Sequence, residues 1–396
     1  MDRYVGTVVR GLRAPIISKG DNIADITVET VLKASEAEGF ILRDRDIIAI
    51  TESIVARAQG NYASIDDIAN DVKMKFDSDA VGLIFPILSR NRFAICLRGI
   101  AKAFKKVYLM FSYPSDEVGN SFIDYDMLDA AGVNPWTDTL TESEFRNHFE
   151  NTCHEFTGVD YIEYYSQLIK DSGTEVEVIF SNNPTSILKY TDCVVTCDIH
   201  TRKRSKRLLK AAGAKKVYGL DDIMNSSLNG SGYNQEYGLL GSNKSTENTV
   251  KLFPRDCTEL VIKIQEKLKE ATGRNIEVMV YGDGAFKDPI GKIWELADPV
   301  VSPGYTEGLI GTPNELKLKY LADNQFAMLK GEALKSAITN SIINKSNDLK
   351  NRMESQGTTP RRLTDLIGSL CDLTSGSGDK GTPIVHIQGY FDNYSV

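Results

Sequence analysis

The segment Tyr281–Gly284 (YGDG) places a carboxylate, Asp283, between two glycines directly after an apolar strand pattern, IEVMVY. Ligands of α/β proteins collect at the carboxyl ends of strands. A carboxylate at such a position suits a hard divalent cation, and the glycines let another group approach closely. Asp283 is therefore a candidate metal ligand, although a solvated Asp-Gly turn would have the same sequence.

A second glycine-rich segment spans Gly376–Gly381 (GSGDKG), and its spacing matches G-x-G-x-x-G. A dinucleotide fingerprint needs a helix after the last glycine, whereas Thr382-Pro383 and a strand pattern follow here. The Lys-Ser/Thr pair of a P-loop is absent too. The segment predicts either an ordinary flexible loop or one whose backbone N–H groups bind an anion, with Lys380 adding positive charge.

Polar residues also follow two other strand patterns. Asp116 and Glu117 come after VYLMFS, where they could ligate a metal, orient an amine or form a polar turn. Asp198 and His200 come after CVVTCDI, and a helix rich in Lys and Arg begins at Arg202. This basic stripe could hold a phosphate-bearing substrate, although a solvated helix face has the same composition.

Two classes of site find no support. The cysteines at 193 and 197 together with His200 lack a fourth ligand at zinc-finger spacing. The chain has only four histidines and no serine in a nucleophile elbow, which argues against a Ser-His-Asp hydrolase.

Composition narrows the class of protein further. The 396 residues carry a formal net charge of −8, which argues against a general nucleic-acid binder. No apolar run approaches the roughly 20 residues that cross a bilayer, and the first residues have no signal-peptide core. The six cysteines have no framework spacing, which favours reduced thiols in the cytosol. We expect a soluble cytoplasmic enzyme of two or three domains, without a nucleic-acid or membrane partner.

Elements of mixed α/β type must position these residues. Residues 47–51 predict a strand that runs into a short helix ending at Gly60. Residues 174–220 alternate strand, helix, strand, helix, strand, which predicts a small parallel sheet. An amphipathic helix is expected at about 256–272, and a further helical stretch at 314–338. The final strand follows the glycine-rich segment.

Five segments taken together resemble the coenzyme F-420-0:L-glutamate ligases, also called γ-glutamyl ligases. They are GLRAPIISKGDNI, TESIVARAQG, YGDGAFKDPIG, YLADNQFA and GSGDKGTPIVHIQG, in the family's order and spacing. The resemblance covers roughly 1–60 and 236–396. It predicts a two-domain ligase core, with 1–100 and 236–396 as its two parts and 101–235 as an inserted α/β region that contains the parallel sheet.

The resemblance also implies site residues and a reaction. The family uses GTP with Mg²⁺ or Mn²⁺ to convert a carboxylate into an acyl phosphate, which the amine of L-glutamate attacks; ATP is the alternative nucleotide. The implied cation lies at Asp283 and Gly284, and Lys287 would steady the acyl phosphate. The positions that match nucleotide contacts are Ser53, Arg57, Asn243, Gly376, Gly378, Asp379, Lys380 and Gly381. An intertwined homodimer is implied as well.

One departure from the family is informative. Where the family has a metal-binding aspartate, this chain has the segment GLLGSN, so that Leu240 replaces a carboxylate while Ser242 and Asn243 remain. Either one metal site is altered, or Asp116, Glu117 or Asp198 takes over. The inserted region would then be the place that binds a different acceptor, and Asp198, His200 and Arg202 are candidate substrate contacts there.

Several functions remain open at this point. Within the ligases, the carboxylate acceptor is either the deazaflavin or a folate-like pterin. The strand-helix pattern of 174–220 leaves open a nucleotide-binding oxidoreductase, although SNNPTS stands where its glycines should be. A non-catalytic nucleotide-binding homologue is the third possibility, suggested by Leu240.

Overall fold

The computed structural model describes residues 4–150, 152–154, 157–282, 285–287, 294–296, 302–355, 361–374 and 378–395, with backbone alone at 285–287 and 294–296. Its fold is mixed α/β, which confirms the predicted class. None of the helices in these ranges is long and apolar enough to cross a bilayer.

The strands form four sheets. In chain order the strands are β1 (Val8–Leu12), β2 (Ile47–Thr51), β3 (Tyr62–Ser64), β4 (Ala80–Ile84), β5 (Lys106–Phe111), β6 (Leu140–Thr141), β7 (Glu175–Phe180), β8 (Cys193–Thr196), β9 (Lys216–Gly219), β10 (Asn243–Thr246), β11 (Thr249–Lys251), β12 (Glu277–Tyr281), β13 (Ala285–Lys287), β14 (Trp294–Leu296), β15 (Gly304–Tyr305) and β16 (Ile384–Gln388).

The α-helices vary from three to sixteen residues. In chain order they are α1 (Ile23–Glu38), α2 (Glu52–Gln59), α3 (Ile65–Lys75), α4 (Ala94–Ala101), α5 (Tyr125–Ala131), α6 (Glu142–His148), α7 (Tyr161–Asp171), α8 (Arg202–Ala211), α9 (Cys257–Thr272), α10 (Leu318–Tyr320), α11 (Gly331–Ile343) and α12 (Leu363–Thr374).

The first large sheet has the order β1-β16-β2-β12-β15, and β2 and β12 are its parallel pair. Alternate residues of β2 point to opposite faces. Ile48 and Ile50 pack with apolar residues of α1 and α9, whereas Ile47 and Ala49 pack with α12. Because helices cover both faces, β2 is apolar at each of its first four positions rather than alternating.

The second large sheet has the order β6-β7-β5-β4-β8-β9, and all its strands except β6 are parallel. This confirms the parallel sheet predicted over 174–220 and shows that β4 and β5 belong to it too. Successive strands β4, β5 and β7 lie on one side, and β8 and β9 on the other. The strand order therefore reverses between β4 and β8, where doubly wound sheets bind ligands.

The predicted division of the chain at residue 101 stays a prediction, but one fact bears on it. β4 lies before that position and pairs with β5 and β8 in the second sheet. A smaller antiparallel sheet, β10-β11-β3, joins residues from before and after the predicted inserted region.

The local signals explain the elements near the expected site. Thr51 caps α2 by accepting a hydrogen bond from the Ser53 N–H, and Gly60 ends the helix at φ 62°, a conformation that glycine adopts without strain.

The predicted helical stretch at 314–338 is interrupted. Its first part ends in a π-helical turn at Leu321–Gln325, and α11 begins only at Gly331, where φ is 57°.

Candidate functional site

One edge of the first sheet gathers chain segments that lie far apart in the sequence. β1, β2 and β12 end at this edge, and the antiparallel β16 begins there, because Ile384 pairs with both Leu12 and Ile50. In the parallel pair, Thr51 is opposite Tyr281. The start of β16 and the end of β12 are separated by β2 alone, which corresponds to about 10 Å.

The glycine-rich segment is tied to this edge by backbone hydrogen bonds. The Ala14 N–H donates to the Gly381 carbonyl at 3.2 Å, and the Thr51 N–H donates to the Pro383 carbonyl at 3.0 Å. Gly378, Asp379 and Lys380 are exposed next to these anchors. Positive charge and backbone N–H groups are thus held beside the end of β2.

The first turns of α2 supply two further predicted nucleotide contacts. Ser53 is half-buried in the first turn. Arg57 lies one turn later and donates from Nε to the Ile17 carbonyl, which connects α2 to the segment after β1. Its guanidinium group keeps other donors for an anion, because arginine has five N–H groups.

A buried ion pair connects α2 to the β10–β11 hairpin. Lys251 Nζ lies 2.6 Å from Glu52 Oε1, and both side chains are almost fully enclosed. Glu52 Oε2 is buried as well and has no hydrogen-bond partner among the residues that the structure describes. Asn243 is directly opposite Lys251 in the hairpin, so their side chains share one face. The structure therefore brings Asn243 to the same end of α2 as Ser53.

Leu240 does not face this edge. It is 3% exposed and packs in the core of the second sheet, with Ile87, Phe93 and Ile199 around it. The neighbouring Ser242 hydroxyl lies 3.3 Å from the Cys96 thiol. The segment in which the resemblance implies a metal ligand thus packs in the apolar core of the second sheet.

The remaining predicted residues lie at the carboxyl ends of the second sheet. Asp116 is buried and accepts hydrogen bonds from the N–H groups of Leu88, Val118 and Asn120 and from the Asn120 side chain. Burial outweighs these hydrogen bonds and raises the pKa of Asp116 to about 6. The carboxylate fixes the loop that joins β5 to α5.

Asp198 is fully buried at the end of β8. Its Oδ2 accepts from the hydroxyls of Thr201 and Ser205, each at 2.7 Å, while its Oδ1 has no hydrogen-bond partner within the described ranges. Burial raises the pKa of Asp198 to about 6 despite these hydrogen bonds, and the charge of Glu117 raises it further.

Glu117 fills the space that an anion would need at the start of α8. Its carboxylate accepts from the backbone N–H groups of Ile199, His200 and Thr201. Thr201 forms no side-chain cap of its own, so Glu117 neutralises the N-terminal N–H groups of this helix.

The basic stripe of α8 is partly neutralised. Arg202 donates to Asp221 at 3.0 Å and to the Ile199 carbonyl, and Lys206 contacts both Asp221 and Asp222. Burial raises the pKa of Asp221, but the hydrogen bonds and charges of Lys206 and Arg202 outweigh it and lower the pKa. Lys203, Arg204, Arg207 and Lys210 are exposed, as in a solvated helix face.

The predicted residues thus form two sets at two different sheets. One set surrounds the ends of β2, β12 and β16, and the other surrounds the ends of β4, β5 and β8. Asp283, Gly284 and Gly376 lie outside the described residues, and Lys287 is described by its backbone in β13 alone. Within the described ranges no group of three or more His, Cys, Asp or Glu side chains could hold a metal ion.

A model of the family described as F420-0:Gamma-glutamyl ligase matches residues 11–389. The chain belongs to this family of ligases. The match confirms the resemblance and extends across residues 101–235 as well. A comparison with curated proteins gives no match to the chain.

The F420-0:gamma-glutamyl ligase motifs did not reveal Glu52 and Lys251. Two signals were available: Glu52 directly follows an apolar strand, and Lys251 interrupts the apolar sequence TVKLF. Neither signal shows that the two residues meet, because they lie 199 positions apart in the chain and only the fold brings them together.

Proposed function

We propose that this member of the family is a nucleotide-dependent ligase that joins L-glutamate to a carboxylate acceptor through an acyl phosphate. The observation that supports it best is the edge of the first sheet, where the glycine-rich segment, the start of α2 and the strand that precedes Asp283 come together. GTP is the proposed nucleotide, with ATP as the alternative.

The chemistry explains why such an edge is needed. A carboxylate resists attack by an amine at neutral pH because its oxygens are poor leaving groups. Transfer of the γ-phosphoryl group to the acceptor carboxylate gives an acyl phosphate and a nucleoside diphosphate. The neutral amine of glutamate then attacks the carbonyl carbon, inorganic phosphate leaves, and the nitrogen loses a proton to form the amide.

The described residues have defined roles in this proposal. The Lys380 side chain and the N–H groups of Gly378, Asp379 and Lys380 bind phosphate oxygens, while the Gly381 N–H donates to the Gly378 carbonyl and closes the turn. Arg57 adds a second cation from α2. Ser53 and Asn243 donate or accept hydrogen bonds at the same nucleotide. Phosphoryl transfer depends mainly on such positioning and charge neutralisation, because the protein forms no covalent bond in the step.

One donor in the described part of the chain suits the proposed divalent cation. Asp283 follows the end of β12 in the sequence, and the buried Glu52 Oε2, which has no hydrogen-bond partner among the described residues, directly follows the end of the adjacent strand. When bound, Mg²⁺ or Mn²⁺ would neutralise charge on the phosphate oxygens. Leu240 cannot contribute, because it lies in the core of the second sheet.

The test is a reaction of the purified protein with GTP, Mg²⁺, L-glutamate and F420-0, followed by mass spectrometry of the product and measurement of phosphate. We expect one phosphate for each amide formed, and loss of both in Asp283→Asn with the fold intact. Parallel reactions with ATP and with a pterin acceptor identify the nucleotide and the acceptor class. Tight nucleotide binding without turnover on any acceptor would instead identify a non-catalytic homologue.

The oxidoreductase alternative gains no support from the second sheet. Its strand order reverses between β4 and β8, but the connection after β4, residues 85–93, contains no glycine. A dinucleotide fingerprint needs glycines at that connection, because the pyrophosphate approaches the backbone there. The homodimer also stays a proposal, and analytical ultracentrifugation tests it directly.

A further inference from the structure

Glu52 has a carboxylate oxygen that no described residue contacts by a hydrogen bond. The side chain is 5% exposed. Its Oε1 accepts from Lys251 Nζ at 2.6 Å, whereas its Oε2 is enclosed and accepts no hydrogen bond from the described part of the chain. Native proteins rarely bury a polar atom in this way, since an unsatisfied buried carboxylate oxygen is costly. Such an atom indicates a ligand position.

The position of Glu52 indicates which kind of ligand. It is the first residue of α2 and follows Thr51, which pairs with Tyr281, two residues before Asp283 in the chain. On the other side of β2, the Pro383 carbonyl accepts from the Thr51 N–H next to the glycine-rich segment. Glu52 therefore follows the end of β2, with the end of β12 on one side and the start of β16 on the other.

The chain also lacks a ligand that Glu52 can replace. The family's second metal-binding carboxylate corresponds to Leu240, which is buried against the second sheet. Asp116, Glu117 and Asp198 were the predicted replacements, but they lie at the ends of the second sheet. The carboxylates of Glu117 and Asp116, moreover, already accept hydrogen bonds from backbone N–H groups.

We infer that Glu52 Oε2 is a ligand of the divalent cation that accompanies the nucleotide, in place of the carboxylate absent at position 240. Lys251 holds the other oxygen and fixes the orientation of the carboxylate, as hydrogen-bonding neighbours of metal ligands commonly do. Mg²⁺ and Mn²⁺ favour carboxylate oxygens. This inference rests on the proposed function and names a ligand for its cation.

The alternative is an ion pair with a purely structural role, and a matched set of variants separates the two. Glu52→Gln keeps the size of the side chain but replaces one oxygen with an amide nitrogen. Lys251→Met removes the ammonium group and leaves the carboxylate. Glu277→Gln is the control for a buried Glu→Gln change, because Glu277 lies at the opposite end of β12, where it accepts from Thr306 and Gln265.

The measurement is Mn²⁺ affinity by electron paramagnetic resonance, on the full-length protein with a non-hydrolysable GTP analogue and without acceptor or glutamate. We expect Glu52→Gln to weaken Mn²⁺ binding by at least about tenfold. Glu277→Gln should stay within about threefold of the wild type, and Lys251→Met should lose less affinity than Glu52→Gln, because it removes the orienting contact but keeps the ligand oxygen. Circular dichroism and thermal unfolding of each variant show that the fold is kept.

Two results would overturn the inference: wild-type Mn²⁺ affinity in Glu52→Gln, or equal losses in Glu52→Gln and Lys251→Met. A wild-type protein that binds no Mn²⁺ overturns it too. The assay involves no turnover, so the proposed function can fail separately. If Mn²⁺ binding depends on Glu52 but no amide forms, the ligase reaction alone is refuted. If an amide forms but Glu52→Gln binds Mn²⁺ as the wild type does, the role of Glu52 as a metal ligand alone is refuted.

Discussion

His386 Nε2 lies 2.9 Å from Asp46 Oδ2, and both side chains are enclosed in the first sheet. The pair joins β16 to the residue that precedes β2 and is supported by the Gln388 amide, 3.3 Å from the same oxygen. Phe40 stacks on the imidazole with ring centroids 4.9 Å apart. This contact stabilises the pairing of β16 with β2, and that pairing holds the glycine-rich segment beside α2.

Asp46→Ala should lower the free energy of unfolding by about 3–5 kcal/mol, because it removes one member of a buried hydrogen-bonded pair. Urea denaturation measures the loss. In a double-mutant cycle with His386→Ala, the two effects should be clearly less than additive. Additive effects would show that the contact carries no coupling energy.

Leu240→Asp would restore the family's carboxylate at its sequence position, and we expect it to destabilise the protein by several kcal/mol without creating a cation site. The reason is that Leu240 is buried among apolar side chains of the second sheet. Leu240→Ala is the control and should cost about 2–5 kcal/mol from the cavity alone. Tighter Mn²⁺ binding in Leu240→Asp would contradict the placement of this segment.

Asp198→Asn should stabilise the protein at pH 8 by about 1–3 kcal/mol. Burial raises the pKa of Asp198 in the folded state to about 6, above the ordinary 3.8. The folded state therefore holds its proton more tightly, so stability falls as the pH rises from about 4 to 6, and the full cost remains above pH 6. The asparagine has no such titration.

Urea denaturation of Asp198→Asn and the wild type at pH 4 and pH 8 tests this sign. Asp221→Asn is the opposite control: its pKa is lowered in the folded state, so it should lose stability at pH 8. From pH 4 to pH 8 the free energy of unfolding of Asp198→Asn should fall less than that of the wild type. It should still fall, because Asp116 also has a pKa raised to about 6. An equal fall of the unfolding free energy in the variant and the wild type would refute the raised pKa of Asp198.

Lys380→Ala should weaken GTP binding by about 5- to 30-fold, since the exposed ammonium would lose a charge-assisted contact to phosphate. The loss should shrink at high salt. Lys210→Ala, an exposed lysine of α8 at the second sheet, should leave the affinity unchanged. Isothermal titration calorimetry at two salt concentrations checks both, and equal affinities for the two variants would exclude a role of the Lys380 side chain in phosphate binding.

Periodicity and turn signals were sufficient to predict the elements around the site. The strand at 47–51, the helix that ends at Gly60 and the parallel strands of 174–220 follow from local rules, and the structure confirms them. They could be predicted because each signal lies within a few residues of the element that it specifies.

Long-range contacts could not be predicted in the same way. The Glu52–Lys251 pair and the burial of Leu240 depend on how the hairpin β10–β11 and the segment before it pack between two sheets. The resemblance indicated that a carboxylate was missing at 240, but the physical reason, burial of Leu240 in one apolar cluster with Ile87 and Phe93, exists only in the folded chain. The same holds for Glu117, whose role depends on backbone N–H groups more than 80 residues away.

The location of β16 between β1 and β2 has a consequence for synthesis on the ribosome. The second sheet is built from residues 80–219, so all its strands have left the ribosome while much of the chain is still untranslated. The first sheet waits for residues 384–388, and until they emerge β1 and β2 have no strand between them. The first sheet can therefore close only after the strands of the second sheet have emerged, and until then a nascent chain exposes apolar strand edges that chaperones can protect.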